Sequence, residues 1–100
     1  MKYIYIAGPY GKGDVALNVR KAVEVGEFYR SQGYVPYIPH LTHLWHLISP
    51  HDWQYWIDYD LEWLKKCDVL CRIQGESKGA DIEVEEAKRL GIKVVEYIYK

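Results

Sequence analysis

DVLCRIQGESKGADIEVEEAKRLGIKVVEY, residues 68–97 of a 100-residue chain, holds one complete strand–helix–strand unit. Asp68–Ile73 is a short apolar run that stops at Gln74-Gly75, the pattern of a buried strand. Ser77 opens a long helix in which Ala80, Val84, Ala87 and Leu90 recur every three or four residues until Gly91 closes it. Ile92–Tyr97 is apolar again and reads as the next strand. Two strands joined through a helix run parallel, with a right-handed crossover.

Upstream the alternation continues. Trp53–Lys66 is a second strong helix. Pro39–Asp52 is rich in His, Leu and Pro and has no clean period, so a long loop with at most one short helical turn is expected. Long loops in compact domains are usually functional. Tyr34–Ile38 is a strand whose Pro36 points to a sheet edge. Asp14 caps a helix in which Val15, Val19, Ala22, Val23 and Gly26 keep helical spacing, and Gly33 ends it. Lys2–Ala7 is the first strand and runs into the turn Gly8–Gly13. This order predicts an α/β fold, a parallel sheet with helices on both faces, in a single domain over residues 1–100. Such sheets bind ligands beyond the carboxyl ends of their strands, here Gly8–Gly13, Pro39–His46 and Gly75–Gly79.

Composition narrows the function. A chain that is 49% hydrophobic is not disordered. Thirteen basic and fourteen acidic residues leave a charge of −1, with no basic field for a nucleic-acid polymer. Ten tyrosines and four tryptophans suggest aromatic-lined pockets or a subunit interface, hence a homodimer or higher homo-oligomer. The opening MKYIYIAGPYGKGD turns polar too soon for a signal-peptide core, and no apolar run reaches membrane-spanning length. No membrane association and a cytoplasmic location are expected. Cys67 and Cys71 form no disulfide framework and read as small buried apolar residues.

Two acids sit where apolar residues belong. The inward stripe of the Trp53–Lys66 helix is Trp53, Trp56, Ile57, Leu61 and Leu64, and Asp60 falls on it. Glu83 falls between Ala80 and Ala87 on the inward stripe of the last helix, whereas Asp81, Glu85 and Lys88 face outward. A buried carboxylate is costly unless something satisfies it. For each alone a cap or ion pair is the ordinary explanation. Two of them at the carboxyl edge of one sheet point to chemistry, and paired carboxylates are the usual equipment for splitting a glycosidic bond. Glu83 lies in the first turns of its helix, where the dipole is expected to keep it ionised, as a nucleophile requires.

Three stretches resemble the nucleoside 2-deoxyribosyltransferase superfamily, and within it most closely the 2'-deoxynucleoside 5'-phosphate N-hydrolases. They are Tyr5-Ile6-Ala7-Gly8-Pro9-Tyr10-Gly11, the acidic helix end Asp60–Asp68, and Ser77–Ala87, which is similar to a Ser-x-Gly-x-x-x-Glu-x-x-x-Ala signature. The resemblance implies a flavodoxin-like or Rossmann-like three-layer sandwich with a parallel sheet of four to five strands, and an active site completed by a neighbouring subunit. It implies that Glu83 attacks the anomeric carbon and forms a glutamyl-sugar intermediate, that Tyr5 orients Glu83, and that Asp60 assists departure of the base. Ser77 would contact a 5'-phosphate, and His40 matches a histidine of the hydrolase branch. Gly8, Pro9, Tyr10, Gly11, Lys12 and Gly79 complete the expected substrate-binding set, with a nucleoside or nucleotide as ligand and neither cofactor nor metal. That branch carries Ser and Arg in its first loop, where this chain has Pro9 and Gly11, leaving Lys12 as the only nearby cation.

Quieter readings stand beside these. By pattern alone Tyr5 is a core ring, Ser77 a plain N-cap and Lys12 a solvated lysine. His40, His43, His46 and His51 fan apart at their spacing and do not converge as zinc ligands. Most of the tryptophans are core or interface, with Trp45 the candidate to stack on a nucleobase. The competing functions are a non-catalytic nucleotide-binding module and a structural or interaction protein.

Overall fold

The computed structural model describes residues 1–98, so the end of the expected domain, residues 99–100, lies outside the described residues. Four strands, β1 (Tyr3–Ala7), β2 (Val35–Tyr37), β3 (Val69–Ile73) and β4 (Lys93–Tyr97), form one sheet among the described residues. Every pairing is parallel and the order is β2-β1-β3-β4. That order, with helices on both faces, is flavodoxin-like. Four helices connect the strands: α1 (Val15–Ser31), α2 (Thr42–Ile48), α3 (Trp53–Leu64) and α4 (Lys78–Arg89).

Alternation along β1 divides the core. Ile4 and Ile6 point to one side and pack with Ala22 and Val25 of α1 and with Val69, Cys71 and Ile73 of β3. Tyr5 and Ala7 point to the other side, toward Leu64, Leu70, Ala80 and Ala87 beneath α3 and α4. Cys67 and Cys71 are buried and free, one in each layer. Pro36 lies in the edge strand β2, where its missing N–H costs no ladder bond. Gly26 allows α1 to approach the segment after β2, since a Cβ there would stand 2.4 Å from Ile38 Cδ1.

Three helix starts are fixed by side chains. Asp14 accepts from Leu17 N–H at 3.0 Å, Asp52 from Tyr55 N–H at 2.8 Å, and Ser77 Oγ from Ala80 N–H at 3.1 Å. Several expectations need correction. The 39–52 segment is not mainly loop: a 3-10 turn at Pro39–Leu41 leads into α2, which buries none of its seven residues. Its apolar side chains Leu44, Leu47 and Ile48 face solvent, so the two-sided pattern that reveals a helix is missing. In α1, Val25 turns inward and Val23 outward. Trp53 and Leu90, expected on inward stripes, are exposed, Trp53 as the first residue of α3 and Leu90 as the C-cap of α4. No helix among the described residues is long and apolar enough to cross a membrane.

Candidate active site

Above the carboxyl ends of β1 and β3 lies a cavity of about 850 Å3. Its floor comes from Gly8 after β1, its walls from α3 and the start of α4, and its rim from the 10–12 loop, α2 and His51. Asp60 and Glu83 both line it, at only 7% and 5% exposure. Asp60 arrives from α3 in line with Ile57 and Leu64, and Glu83 from α4 between Ala80 and Ala87.

Each acid is held by a tyrosine from the sheet. Tyr5 OH donates to Glu83 Oε2. Tyr37 OH donates to Asp60 Oδ1 at 3.1 Å. The two tyrosines are register partners on β1 and β2, and their rings lie 5.5 Å apart. Neither lines the cavity, so both approach the acids from behind.

Burial governs the electrostatics. It raises Glu83 to about 8, with Asp60 adding to the rise while the Tyr5 hydrogen bond and Arg72 oppose it. It raises Asp60 to about 7 against the opposing Tyr37 bond. The expectation of a dipole-ionised Glu83 is therefore corrected. Glu83 is the sixth residue of α4, past the turn where the dipole acts, and desolvation outweighs it. Arg72, whose charge opposes the rise of Glu83, binds Asp81 Oδ1 at 3.0 Å and the Gly75 carbonyl at 2.9 Å. Two carboxyls raised this close together titrate as a pair, so near neutrality one proton is shared between them, more on Glu83 than on Asp60.

The rest of the expected set divides. Gly8, Tyr10, Gly11, Lys12, His40, Ser77 and Gly79 line the cavity. Pro9 does not, and only its carbonyl matters here, accepting from His40 Nε2–H at 2.9 Å. Burial lowers the His40 pKa, leaving a neutral ring. Lys12 pairs with Glu76 across the mouth, and Lys78 lies 5.4 Å over the Trp53 ring. Trp45 is displaced from its expected role, since Trp53 and Trp56 line the cavity and Trp45 does not. Trp45 packs edge-on against the far side of Trp56 at 5.4 Å. Trp56 is fixed in turn by its Nε1–H, which donates to His46 Nδ1 at 2.9 Å. Sequence reasoning missed Tyr37 and Arg72. Trp56 could have been found, because it stands one helical turn before Asp60.

The cavity sits where a parallel sheet of this order places its ligand, and two buried carboxyls raised by desolvation face into it. In fold the chain is similar to a 2-deoxyribosyltransferase from the psychrotolerant bacterium Bacillus psychrosaccharolyticus. That match has a TM-score of 0.71 at 18% identity and covers 98% of this chain and 77% of that one. It is similar also to a 2-deoxyribosyltransferase from Leishmania mexicana, with a TM-score of 0.72 at 19% identity, covering 97% of this chain and 64% of that one. At such identity the likeness is one of fold. The chain belongs to the family described as a domain of unknown function, DUF7768, whose profile matches residues 2–97. No curated protein sequence matches it.

Proposed function

We propose that this chain is an enzyme that cleaves or transfers at the N-glycosidic bond of a (deoxy)nucleoside, with Glu83 as nucleophile and Asp60 as proton donor to the base. It reacts from the state of the pair in which the shared proton has passed from Glu83, which burial raises further, to Asp60. One observation carries the reading. Two nearly sealed carboxyls from different helices, each gripped from behind by a tyrosine, face one aromatic-walled cavity. Burying two carboxyls costs free energy, which supports a functional use for them. The fold shared with 2-deoxyribosyltransferases supports the substrate class. As drawn, the chemistry requires neither metal nor cofactor.

Charge at the mouth favours a nucleoside over the 5'-monophosphate of the hydrolase branch. Glu76 and Asp81 line the cavity beside Ser77, and Lys12 and Lys78 are already engaged by Glu76 and Trp53. The proposed enzyme is cytoplasmic and homo-oligomeric. The face for a second copy is α2, where Leu44, Leu47 and Ile48 stand in solvent beside the cleft.

The deciding assay incubates the protein with nucleosides and their monophosphates, with and without an acceptor base, and separates the products by chromatography. Free base without acceptor identifies a hydrolase, and exchange only with acceptor a transferase. Glu83→Ala is expected to lower turnover by roughly a thousandfold or more while the circular dichroism spectrum is unchanged. Full activity in that variant removes the proposal. Light scattering tests the oligomer: Ile48→Glu should yield a smaller species, and a monomeric parent chain overturns that part.

A further inference from the structure

The acids are alike in burial, yet each has one oxygen occupied and one open. Tyr37 OH occupies Asp60 Oδ1, and Tyr5 OH occupies Glu83 Oε2. Asp60 Oδ2 and Glu83 Oε1 take no hydrogen bond from any described residue. Nor are they sealed: the only described side-chain polar atom that is both sealed and unpartnered is His40 Nδ1. Since both acids line the cavity and both tyrosines lie behind them, the open oxygens are the ones a ligand meets.

Tyr37 cannot easily let go. Its ring is stacked on Trp63 at 5.3 Å and 16°, and Tyr5 flanks it at 5.5 Å. Burial and the neighbouring acids push the Tyr37 hydroxyl well above the ordinary tyrosine range, so it stays protonated, and its one hydrogen bond among the described residues goes to Asp60 Oδ1. A neutral carboxyl has one oxygen that only accepts and one that carries the proton. A phenol both donates and accepts, but the Tyr37 proton has no other described partner. The arrangement that keeps it bonded makes Oδ1 the acceptor and leaves the carboxyl proton to Oδ2.

We propose that Tyr37 is a positioning residue that assigns the Asp60 proton to Oδ2, the oxygen open to the cavity, and so aims it at the departing base. The inference rests on the nucleoside reading above. In the step it serves, Glu83 Oε1 bonds to C1' as the C1'–N bond breaks. The bonding pair leaves with the base nitrogen system, and the Oδ2 proton moves onto the base. In the second step the oxygen of water, or the nitrogen of an acceptor base, bonds to C1'. The C1'–Oε1 pair returns to Glu83, and the incoming group's proton restores Asp60. With Phe at position 37, Oδ1 loses its donor and the proton is free to reside on either oxygen.

The test compares 2'-deoxyguanosine with N7-methyl-2'-deoxyguanosine, whose base is already positively charged and leaves without needing a proton. Tyr37→Phe keeps the ring that stacks on Trp63 and should fold. It is expected to lower kcat on 2'-deoxyguanosine by roughly 10- to 100-fold, with little change in KM. On the methylated nucleoside its rate should stay near that of the parent chain. The alkaline limb of its pH profile should move upward, because the lost hydrogen bond had lowered the Asp60 pKa. In an Asp60→Asn background the same substitution should cost nothing further. Equal losses on both nucleosides, or an undiminished loss in the Asp60→Asn background, assign Tyr37 a merely structural role and overturn the inference. So does a Tyr37→Phe chain as fast as its parent on 2'-deoxyguanosine. If the parent chain releases base from neither compound, the nucleoside reading itself fails and this inference falls with it.

Discussion

The two sides of β1 are equally dry and chemically opposite. Ile4 and Ile6 on the α1 side and Tyr5 and Ala7 on the α3–α4 side are all sealed from solvent. The α1 layer contains only apolar side chains and one thiol among its buried members. On the other side the same depth holds Glu83 and Asp60. Depth alone is therefore no guide to role. Both layers gain from apolar burial, but the second gives part of that gain back by keeping two carboxyls out of water.

The largest effect should come from the apolar side. Ile6→Ala removes a fully buried side chain and leaves a void between β1 and α1, costing about 2–5 kcal/mol in urea denaturation. Base release by the surviving folded fraction should keep the parent pH profile, because Ile6 points away from the cavity. A changed pH profile with intact stability would mean that the two sides are not separable.

What the sequence shows and hides follows the same division. The strands are legible because each is a short apolar run bounded by Gly, Pro or a polar turn, and such runs between amphipathic helices admit few folds. Glu83 and Asp60 are legible because they break a helical stripe, a local offence visible within one element. Tyr37 is not, since a tyrosine beside Pro36 looks like ordinary edge-strand filler. Its bond to Asp60, 23 residues on, depends on the β1–β2 register and on how α3 lies across the sheet. α2 is hidden for a different reason: its apolar residues face out, so no period marks it. The charge state of Glu83 is not legible either, because proximity to a helix start can be read from sequence whereas the depth of desolvation cannot.

The reactive side supplies the next effect, of opposite sign. Glu83 rises from its ordinary 4.5 to about 8 on folding, and Asp60 from 3.8 to about 7. Between those values the unfolded chain binds fewer protons than the folded one, so stability falls as pH increases. It should be fully retained only below the unfolded values of 3.8 and 4.5, decline from there through neutrality and level off above about pH 8. Glu83→Gln keeps an acceptor for Tyr5 and removes one ionisation. It should leave stability near pH 4 almost unchanged and raise it at pH 8 by a few kcal/mol, while abolishing activity. Thermal unfolding across that range checks it. Destabilisation at pH 8 would show that the Glu83–Tyr5 pair is a structural tie and not a functional burden.

The smallest effect lies on the seam between the two roles, at Ser77. Its Oγ accepts the Ala80 N–H at 3.1 Å and starts the helix that carries Glu83, yet the same residue lines the cavity. Ser77→Ala should cost about 1 kcal/mol through the lost cap, with Ser77→Asp restoring most of it. If capping is its work, the alanine variant should change KM for nucleosides and their monophosphates in equal proportion. A loss confined to the monophosphates would instead make Ser77 a phosphate ligand despite the flanking Glu76 and Asp81. The residue would then move from the stability account of this helix to its chemistry, because a hydroxyl can accept from Ala80 N–H and still donate its own proton to a ligand oxygen.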